Sequence, residues 1–302
     1  MMLRTRRTKI ILLGQLMIAA TLSAQLHYNV VNEEAVKQRL TLYKGDDTKR
    51  EENLLQLFRQ SGCLPENLSE QPVPKRKQPN IICVLPGTTQ ETIVVGAHFD
   101  HVSDGDGIID NWSGAALLPS LVASLTNIPH KHTFIFVGFT GEEKGLLGST
   151  YYVQQLSSDQ VARIEAMVNM DTLGLSPTKV WISQSDPRLV NALGAVAHRL
   201  NLPVDGINVD GFGESDEESF IAKKVCSVMV HSITPQTTYV LHRPDDNPAA
   251  MQFQDYYDTY RLMAAYLAVL DDFLVADGHV CTAKPVEAFT ERRRRIRIQT
   301  RH

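Results

Sequence analysis

The sequence predicts an α/β fold, a three-layer α/β/α sandwich with a mixed, mostly parallel central sheet. Strand-like runs alternate with helical runs along the chain, which is typical of a parallel sheet covered by helices on both faces. The 302 residues are 43% hydrophobic, which is enough for one full-sized core. The formal net charge of -4 argues against a nucleic-acid-binding surface spread over the protein.

The N-terminal part divides into a leader and a helical segment. Residues 1–24 combine a basic start, a short apolar run and small residues near the end, which describes a secretory signal peptide. The apolar run is shorter than the ~20 residues that span a bilayer, so we expect a secreted or periplasmic protein without stable membrane insertion. An uncleaved anchor is the alternative. Residues 25–77 are expected to pack on the core as one helix, over 33–61, and a polar connector.

The core is expected at 78–275. Strands over 80–85 and 92–97 are separated by Pro86, Gly87 and a polar turn, which favours a hairpin. Strands over 132–139, 164–170 and 225–233 then alternate with helices over 114–125, 142–155, 186–200 and 252–274. The arginine-rich residues 276–302 are expected to form a solvated basic tail, with contact to an anionic surface as the alternative.

The four cysteines are compatible with disulfides if the protein is exported. Cys63 and Cys83 flank a proline-rich polar stretch, so we expect a bridge between them. Cys226 lies in a strand-like run, where we expect a buried free thiol. Four cysteines allow three full pairings, and the sequence does not choose among them.

Histidine and carboxylate side chains follow several of the expected strands. His98 ends an apolar strand and could offer one ring nitrogen to a metal, while Asp100 restrains it. Asp110 precedes an apolar helix, where a helix N-cap is the competing interpretation. Asp171 ends the strand over 164–170. Because ligands bind at the carboxyl edge of open α/β sheets, we expect these side chains to share one site.

Two further motifs complete this set of candidates. Glu142 and Glu143 follow the strand over 132–139; one could bind a metal while the other acts as a base, although acidic residues also favour a helix start. His242 precedes a turn with proline and is expected to be accessible. His231 lies inside an apolar strand and is expected to be structural. His101 competes with His98 for the first position.

Five segments in order resemble metallopeptidase family twenty-eight, the exported zinc aminopeptidases: GAHFDH, DNWSGAALL, FVGFTGEEKGLLGS, VNMDTLG and LHRPDDN. The resemblance implies two Zn²⁺ ions per chain, with Asp110 bridging them. One ion would be held by His98, Asp110 and Asp171, and the other by Asp110, Glu143 and His242. Carboxylates and neutral imidazoles are ligands that zinc accepts.

The resemblance also implies a reaction, the hydrolysis of N-terminal residues from peptides. Asp100 would orient His98, and Glu142 would be the general base that activates water. Two positions depart from the family pattern: Glu217 stands where the family has a histidine after Ser-Asp, and Thr172 stands where an apolar residue is usual. Ser215 and Glu218 have the spacing of a capping box, which we take as their role.

Other functions on this scaffold are a glutaminyl-cyclase type of aminoacyltransferase, which works with one zinc, and a non-catalytic binding domain. The complete ligand set favours hydrolysis. A carboxypeptidase would need a guanidinium to bind the terminal carboxylate, whereas an aminopeptidase needs surplus carboxylate to bind an ammonium. Carboxylates dominate around the motifs, which favours an aminopeptidase: they include Asp100, Glu142 and an acidic loop with Glu214, Asp216, Glu217 and Glu218.

Overall fold

The computed structural model describes residues 27–211, 213–274 and 281. The expected leader at 1–24 and, apart from Cys281, the expected basic tail lie outside these residues. Among the helices of the described part, none has both the length and the apolar character needed to cross a membrane.

The described residues form one eight-stranded sheet. Its strands are β1 (Leu68–Gln71), β2 (Asn80–Leu85), β3 (Thr92–His98), β4 (Thr133–Phe139), β5 (Ile164–Met170), β6 (Lys179–Val180), β7 (Asp205–Gly206) and β8 (Ser227–His231). Their spatial order is β1-β2-β4-β3-β5-β8-β6-β7. The central pairs β4/β3, β3/β5 and β5/β8 are parallel, whereas β1/β2, β2/β4 and β8/β6 are antiparallel. The predicted mixed, mostly parallel sheet is confirmed.

Helices cover both faces of this sheet. They are α1 (Glu33–Leu40), α2 (Asp47–Gln60), α3 (Ser113–Leu125), α4 (Leu147–Gln155), α5 (Ser158–Ala162), α6 (Pro187–Leu200), α7 (Glu217–Ile221) and α8 (Phe253–Phe273). The larger apolar core joins α1, α2, α3, α6 and α8 to one face. A smaller core joins α4 and α7 to the other face. The three-layer sandwich is therefore confirmed.

The single helix predicted over 33–61 is wrong, because the chain breaks it into α1 and α2. Gly45 between them has a φ of 112°, a left-handed conformation that a helix interior does not accept. Asp46 then caps α2, accepting a hydrogen bond from the Lys49 backbone at 3.0 Å. Leu54 and Phe58 on α2 are fully buried in the larger core, so this segment packs on the sheet.

The helix predicted over 142–155 is also interrupted. Glu142–Lys144 form one 3₁₀ turn, and α4 begins only at Leu147. Gly141 and Gly145 enclose this turn with φ angles of 72° and 89°, which reverse the chain sharply on either side. The two glutamates therefore lie on a tight turn after β4.

The predicted hairpin of β2 and β3 is wrong, because β4 lies between them. Ile82 of β2 pairs antiparallel with Val137 of β4, while Val94 of β3 pairs in parallel with Ile135. The connection over 86–91 therefore passes across one strand.

The strand β1 lies within the expected connector, and its short polar sequence shows no alternation of apolar and polar residues. The short elements β6, β7, α5 and α7 were also not predicted, because they have too few residues to show a period.

Two disulfides join distant parts of the chain. The predicted bridge between Cys63 and Cys83 is confirmed and ties the residues after α2 to β2. The expected free thiol at Cys226 is wrong, because Cys226 is bonded to Cys281 beyond α8. A partner 55 residues away gives no local sign in the strand that carries Cys226.

Candidate metal centre

Five candidate ligands meet at the carboxyl edge of the central strands. His98 ends β3, Glu143 follows β4 and Asp171 follows β5 directly. Asp110 comes from the irregular stretch between β3 and α3, and His242 comes from the segment after β8. Because β4, β3 and β5 are adjacent and parallel, their carboxyl ends open on the same edge. The structure thus brings together side chains that are up to 144 residues apart, the separation of His98 and His242.

These side chains form two groups of three that share Asp110. His98 Nε2 lies 3.3 Å from Asp110 Oδ1 and 3.5 Å from Asp171 Oδ1. His242 Nε2 lies 3.1 Å from Asp110 Oδ2 and 3.1 Å from Glu143 Oε2. Within each group the three potential ligand atoms lie within 4.8 Å of one another. One oxygen of Asp110 therefore faces each histidine.

Two buried atoms of these groups have no hydrogen-bond partner in the described structure, His98 Nε2 and Glu143 Oε1. The other ring nitrogen, His98 Nδ1, lies 3.1 Å from the backbone oxygen of Asp100. A histidine held by Nδ1, with Nε2 facing carboxylates, has the arrangement of a metal ligand. Imidazole nitrogen and carboxylate oxygen are donors that suit zinc.

The electrostatics of the two groups reflect their surplus of negative charge. Burial acts to lower the pKa of His98, but the carboxylates of Glu142 and Asp171 outweigh it and raise that pKa well above its usual value. Hydrogen bonds to Asp110 and Glu143 raise the pKa of His242 to about 10. Two imidazoles held in this way mark a strongly cation-attracting environment.

Glu142 lies beside these groups and is mostly buried, with a side chain 10% exposed. Its Oε2 is 3.9 Å from His98 Nε2. Burial raises the pKa of Glu142 well above its usual value, although the neighbouring His98 lowers it. The backbone N–H of Glu142 donates to Asp100 Oδ1 at 3.2 Å, while the same oxygen is 3.7 Å from His98 Nδ1. The Asp100 carboxylate thus contacts the turn that carries Glu142 more closely than it contacts the imidazole.

The predicted capping box of Ser215 and Glu218 is wrong. The helix α7 begins at Glu217, and no side chain caps its start. Ser215 Oγ instead donates to Asp171 Oδ2 at 2.6 Å and accepts from Asn169 Nδ2 at 2.8 Å. Asn169 lies in the VNMDTLG segment, but no role was expected of it, although its position two residues before Asp171 at the end of β5 suggests one face for both. This chain of hydrogen bonds holds the outer oxygen of Asp171.

We expected the acidic loop to add surplus carboxylate near the site, with helix capping as its other possible role. Asp216 and Glu217 are fully buried, and burial raises their pKa values to about 7 and about 8. Glu217 Oε2 accepts a hydrogen bond from Asn169 Nδ2 at 2.8 Å. Glu214 is the acidic member of this loop that lines the pocket beside the two groups. The surplus carboxylate that the loop offers is therefore smaller than expected.

This pocket has a volume of about 350 Å³. Four of its carboxylates are Asp110, Glu142, Glu143 and Asp171. Its apolar lining residues belong to one cluster: Trp181, Val209, Met229, Ile233 and Leu241. The pocket thus combines an apolar surface with a dense set of carboxylates.

The two remaining histidine candidates lie outside both groups. His101 Nδ1 is 3.1 Å from Asp47 Oδ1 on α2. His231 is buried, its Nε2 lies 3.0 Å from the Ile207 oxygen, and its Nδ1 accepts from Ile233 N at 3.1 Å. The structural role expected of His231 is confirmed.

The fold and this cluster define an α/β protein with a candidate metal site at the carboxyl edge of its sheet. Residues 80–267 match the family model described as Peptidase family M28. The match covers more than half of the chain, and the chain therefore belongs to Peptidase family M28. The resemblance inferred from the five sequence segments is confirmed.

Curated relatives match shorter stretches. Leupeptin-inactivating enzyme 1 of Streptomyces exfoliatus is 33% identical over 145 residues, which cover 47% of this chain and 33% of that protein. Leucine aminopeptidase 2 of Trichophyton rubrum is 38% identical over 108 residues, which cover 36% of this chain and 22% of that protein. The aligned part thus spans a third or less of these relatives.

Solved structures share the fold over most of the described chain. LapA aminopeptidase of Legionella pneumophila has a TM-score of 0.68 at 22% identity, covering 83% of this chain and 78% of that one. BSAP, a zinc aminopeptidase from Bacillus subtilis, has a TM-score of 0.59 at 23% identity, covering 68% and 53%. A glutaminyl cyclase from an Acidobacteriales bacterium has a TM-score of 0.67 at 17% identity, covering 80% and 94%. At these identities the likeness concerns the fold alone.

Proposed function

We propose that this protein is a zinc-dependent aminopeptidase that removes N-terminal residues from peptides. The observation that carries the proposal is the pair of ligand groups sharing Asp110, with Glu142 beside them. Membership of Peptidase family M28 and the similarity to a leucine aminopeptidase and to a zinc aminopeptidase fold support it.

Two zinc ions per chain fit the donors present. His98, Asp110 and Asp171 would hold one ion, and Asp110, Glu143 and His242 the other. Three carboxylates and two histidines exceed what a single tetrahedral zinc uses. When bound, zinc ions lower the pKa of a water molecule and polarise a carbonyl group.

Glu142 is the proposed general base. Its carboxylate lines the pocket and lies beside His98, where a base can reach a water molecule at the metal site. It would take a proton from the attacking water and pass it to the nitrogen of the leaving amine. Asp100 holds the turn in place through the Glu142 backbone N–H, so the carboxylate stays aimed at the pocket.

The pocket favours a substrate with a free ammonium and an apolar first side chain. The carboxylates that line the pocket, Glu214 among them, would attract the ammonium group. The apolar wall of Trp181 and Met229 would contact the side chain of the first residue. Burying a leucine-sized side chain there contributes about 2 kcal/mol.

The glutaminyl-cyclase alternative predicts a different product and a different metal count. It would cyclise N-terminal glutamine with release of ammonia, and one zinc would suffice. Because the fold is similar to that of a glutaminyl cyclase, the experiment below also measures cyclisation. The second ligand group around His242 favours hydrolysis.

A panel of aminoacyl amides, free and amino-acetylated, tests the proposal. We expect cleavage of free substrates whose N-terminal residue is leucine, methionine or phenylalanine, and little cleavage of acetylated ones. Activity should be lost with a chelator and should recover with zinc. Equal cleavage of both forms, release of C-terminal residues, or cyclisation of glutamine instead of hydrolysis would refute the aminopeptidase assignment. Elemental analysis of zinc-supplemented protein should find two ions per chain.

We also propose that the protein is exported, as expected from residues 1–24. The two disulfides support this proposal because such bonds persist in oxidising compartments. Detection of the mature chain outside the cytoplasm, with a shortened N-terminus, tests it.

A further inference from the structure

The stretch between β3 and α3 carries Asp110, yet most of it lacks regular structure. Its backbone is held from α2 by one fully buried side chain, Arg50. The Arg50 guanidinium donates to the backbone oxygens of Phe99 at 3.3 Å, Asp106 at 2.6 Å and Gly107 at 3.0 Å. It also lies over the Trp112 ring, 5.8 Å from the centroid. Arg50 therefore contacts this stretch near its start, at Phe99, and near its end, at Gly107 and Trp112.

A second side chain holds the same stretch from the other end of the chain. Asp246 accepts hydrogen bonds from the backbone N–H groups of Ile109 at 2.7 Å and Asp110 at 3.0 Å. Its backbone oxygen accepts from Asp106 N at 2.7 Å. Asp246 lies four residues after His242, so the segment with one histidine is fastened to the loop with the shared carboxylate.

The sequence of the loop leaves room for this contact. Gly107 has a φ of 56°, and a Cβ there would lie 2.9 Å from Arg50 Nη2 and 2.6 Å from His101 Cβ. A Cβ on Gly105 would lie 2.3 Å from the Arg243 oxygen. Any side chain at either position would push the loop away from its anchors.

We propose that Arg50 is a positioning residue for the two-metal site. By fixing the backbone from Phe99 to Gly107, it sets where Asp110 presents its two oxygens to His98 and His242. The inference rests on the proposed zinc site. It extends that site to a helix outside residues 80–267, the range that the family model matches.

The chemistry of arginine explains why this role needs its side chain. The planar guanidinium directs several N–H donors at fixed angles, so one group can bind three carbonyls. Lysine keeps the charge, but its ammonium is a point donor on a flexible stem. Methionine keeps much of the length and donates nothing, which leaves the loop carbonyls without this partner.

The test compares Arg50→Met and Arg50→Lys with Leu57→Ala. Leu57 lies on the same helix in the apolar core, so its truncation destabilises the fold away from the loop. Zinc affinity is measured for the full chain by competition with a chromogenic chelator, alongside the melting temperature, kcat and KM.

We expect Arg50→Met to weaken binding of at least one zinc by ~10–100-fold, the usual effect of groups that support a metal ligand. Its kcat should fall and recover in excess zinc, with KM little changed. Arg50→Lys keeps the buried charge and should show a smaller loss of zinc affinity. This variant provides the test if Arg50→Met does not fold. Leu57→Ala should lower the melting temperature without changing zinc affinity.

Unchanged zinc affinity in the Arg50 variants that fold would overturn the inference. An equal loss of affinity in Leu57→Ala would overturn it too, because general destabilisation would then be the cause. If the parent chain itself binds no zinc, the proposed function fails instead, and the two failures are thereby distinguished.

Discussion

Replacing Glu142 with glutamine separates proton transfer from metal binding at this site. The glutamine would keep the shape of the side chain but could not accept a proton from water. The backbone N–H that donates to Asp100 is unaffected, so the turn after β4 should keep its conformation. The Glu142 oxygen is also 3.9 Å from His98 Nε2, farther than the oxygens of Asp110 and Asp171.

The expected loss follows from this geometry. General-base catalysis typically supplies ~10²–10⁴ in rate, which corresponds to about 3–5 kcal/mol of activation free energy. Because the Glu142 oxygen lies farther from His98 Nε2 than the oxygens of Asp110 and Asp171 do, zinc content and melting temperature should stay near those of the parent. We therefore expect kcat to fall by that factor, with KM changing little.

The assay is steady-state hydrolysis of leucine amide together with zinc analysis of the same sample. Glu143→Gln is the matched control, since its carboxylate oxygen lies 3.1 Å from His242 Nε2 and should be needed for the second ion. That variant should lose zinc as well as activity. Near-parental turnover in Glu142→Gln, or zinc loss equal to that of the control, would refute the assignment of Glu142 as base and Glu143 as metal ligand.

Three further outcomes are expected. Asp110→Ala should abolish binding of both zinc ions, whereas His242→Ala should weaken one, as read by elemental analysis. Replacing both cysteines of the α2–β2 disulfide with alanine should lower the urea-unfolding free energy by ~3 kcal/mol, from its sequence separation of 20. Burial acts to raise the pKa of Asp271, but hydrogen bonds from His132 outweigh this effect and lower that pKa. Asp271→Asn should therefore cost ~1–2 kcal/mol at pH 7, and that difference should shrink as the pH falls below about 4.

The candidate ligands could be predicted because each lies in a local motif. An apolar strand followed by His98, Glu143 or Asp171 is visible within about ten residues of sequence. The wrong hairpin did not disturb this prediction, since β3 still ends at the same edge as β4 and β5. Parallel strands share a carboxyl edge whatever their order, so the site depends on strand direction more than on strand neighbours.

Interactions between distant segments could not be predicted in the same way. Ser215 and Glu218 have capping-box spacing, but Ser215 bonds to Asp171, 44 residues earlier. The structure has this tertiary hydrogen bond and no side-chain cap at the start of α7. Arg50 gave no sign of its role either, because its partners in the loop before α3 are backbone oxygens 49 to 57 residues away, which no side-chain motif records.

Partners, rather than depth, decide which buried acids of this site carry charge. Burial acts to raise the pKa of Asp110, yet hydrogen bonds from His242 and His98 outweigh it and hold that pKa well below its usual value. Asp216 and Glu217 are as deeply buried but face no histidine at hydrogen-bond distance, and their pKa values rise to about 7 and about 8. The negative charge is therefore concentrated on the carboxylate between the two histidines, where two cations would share it. The neighbouring Glu217 at the start of α7 acts mainly as a hydrogen-bonding group that supports Asn169.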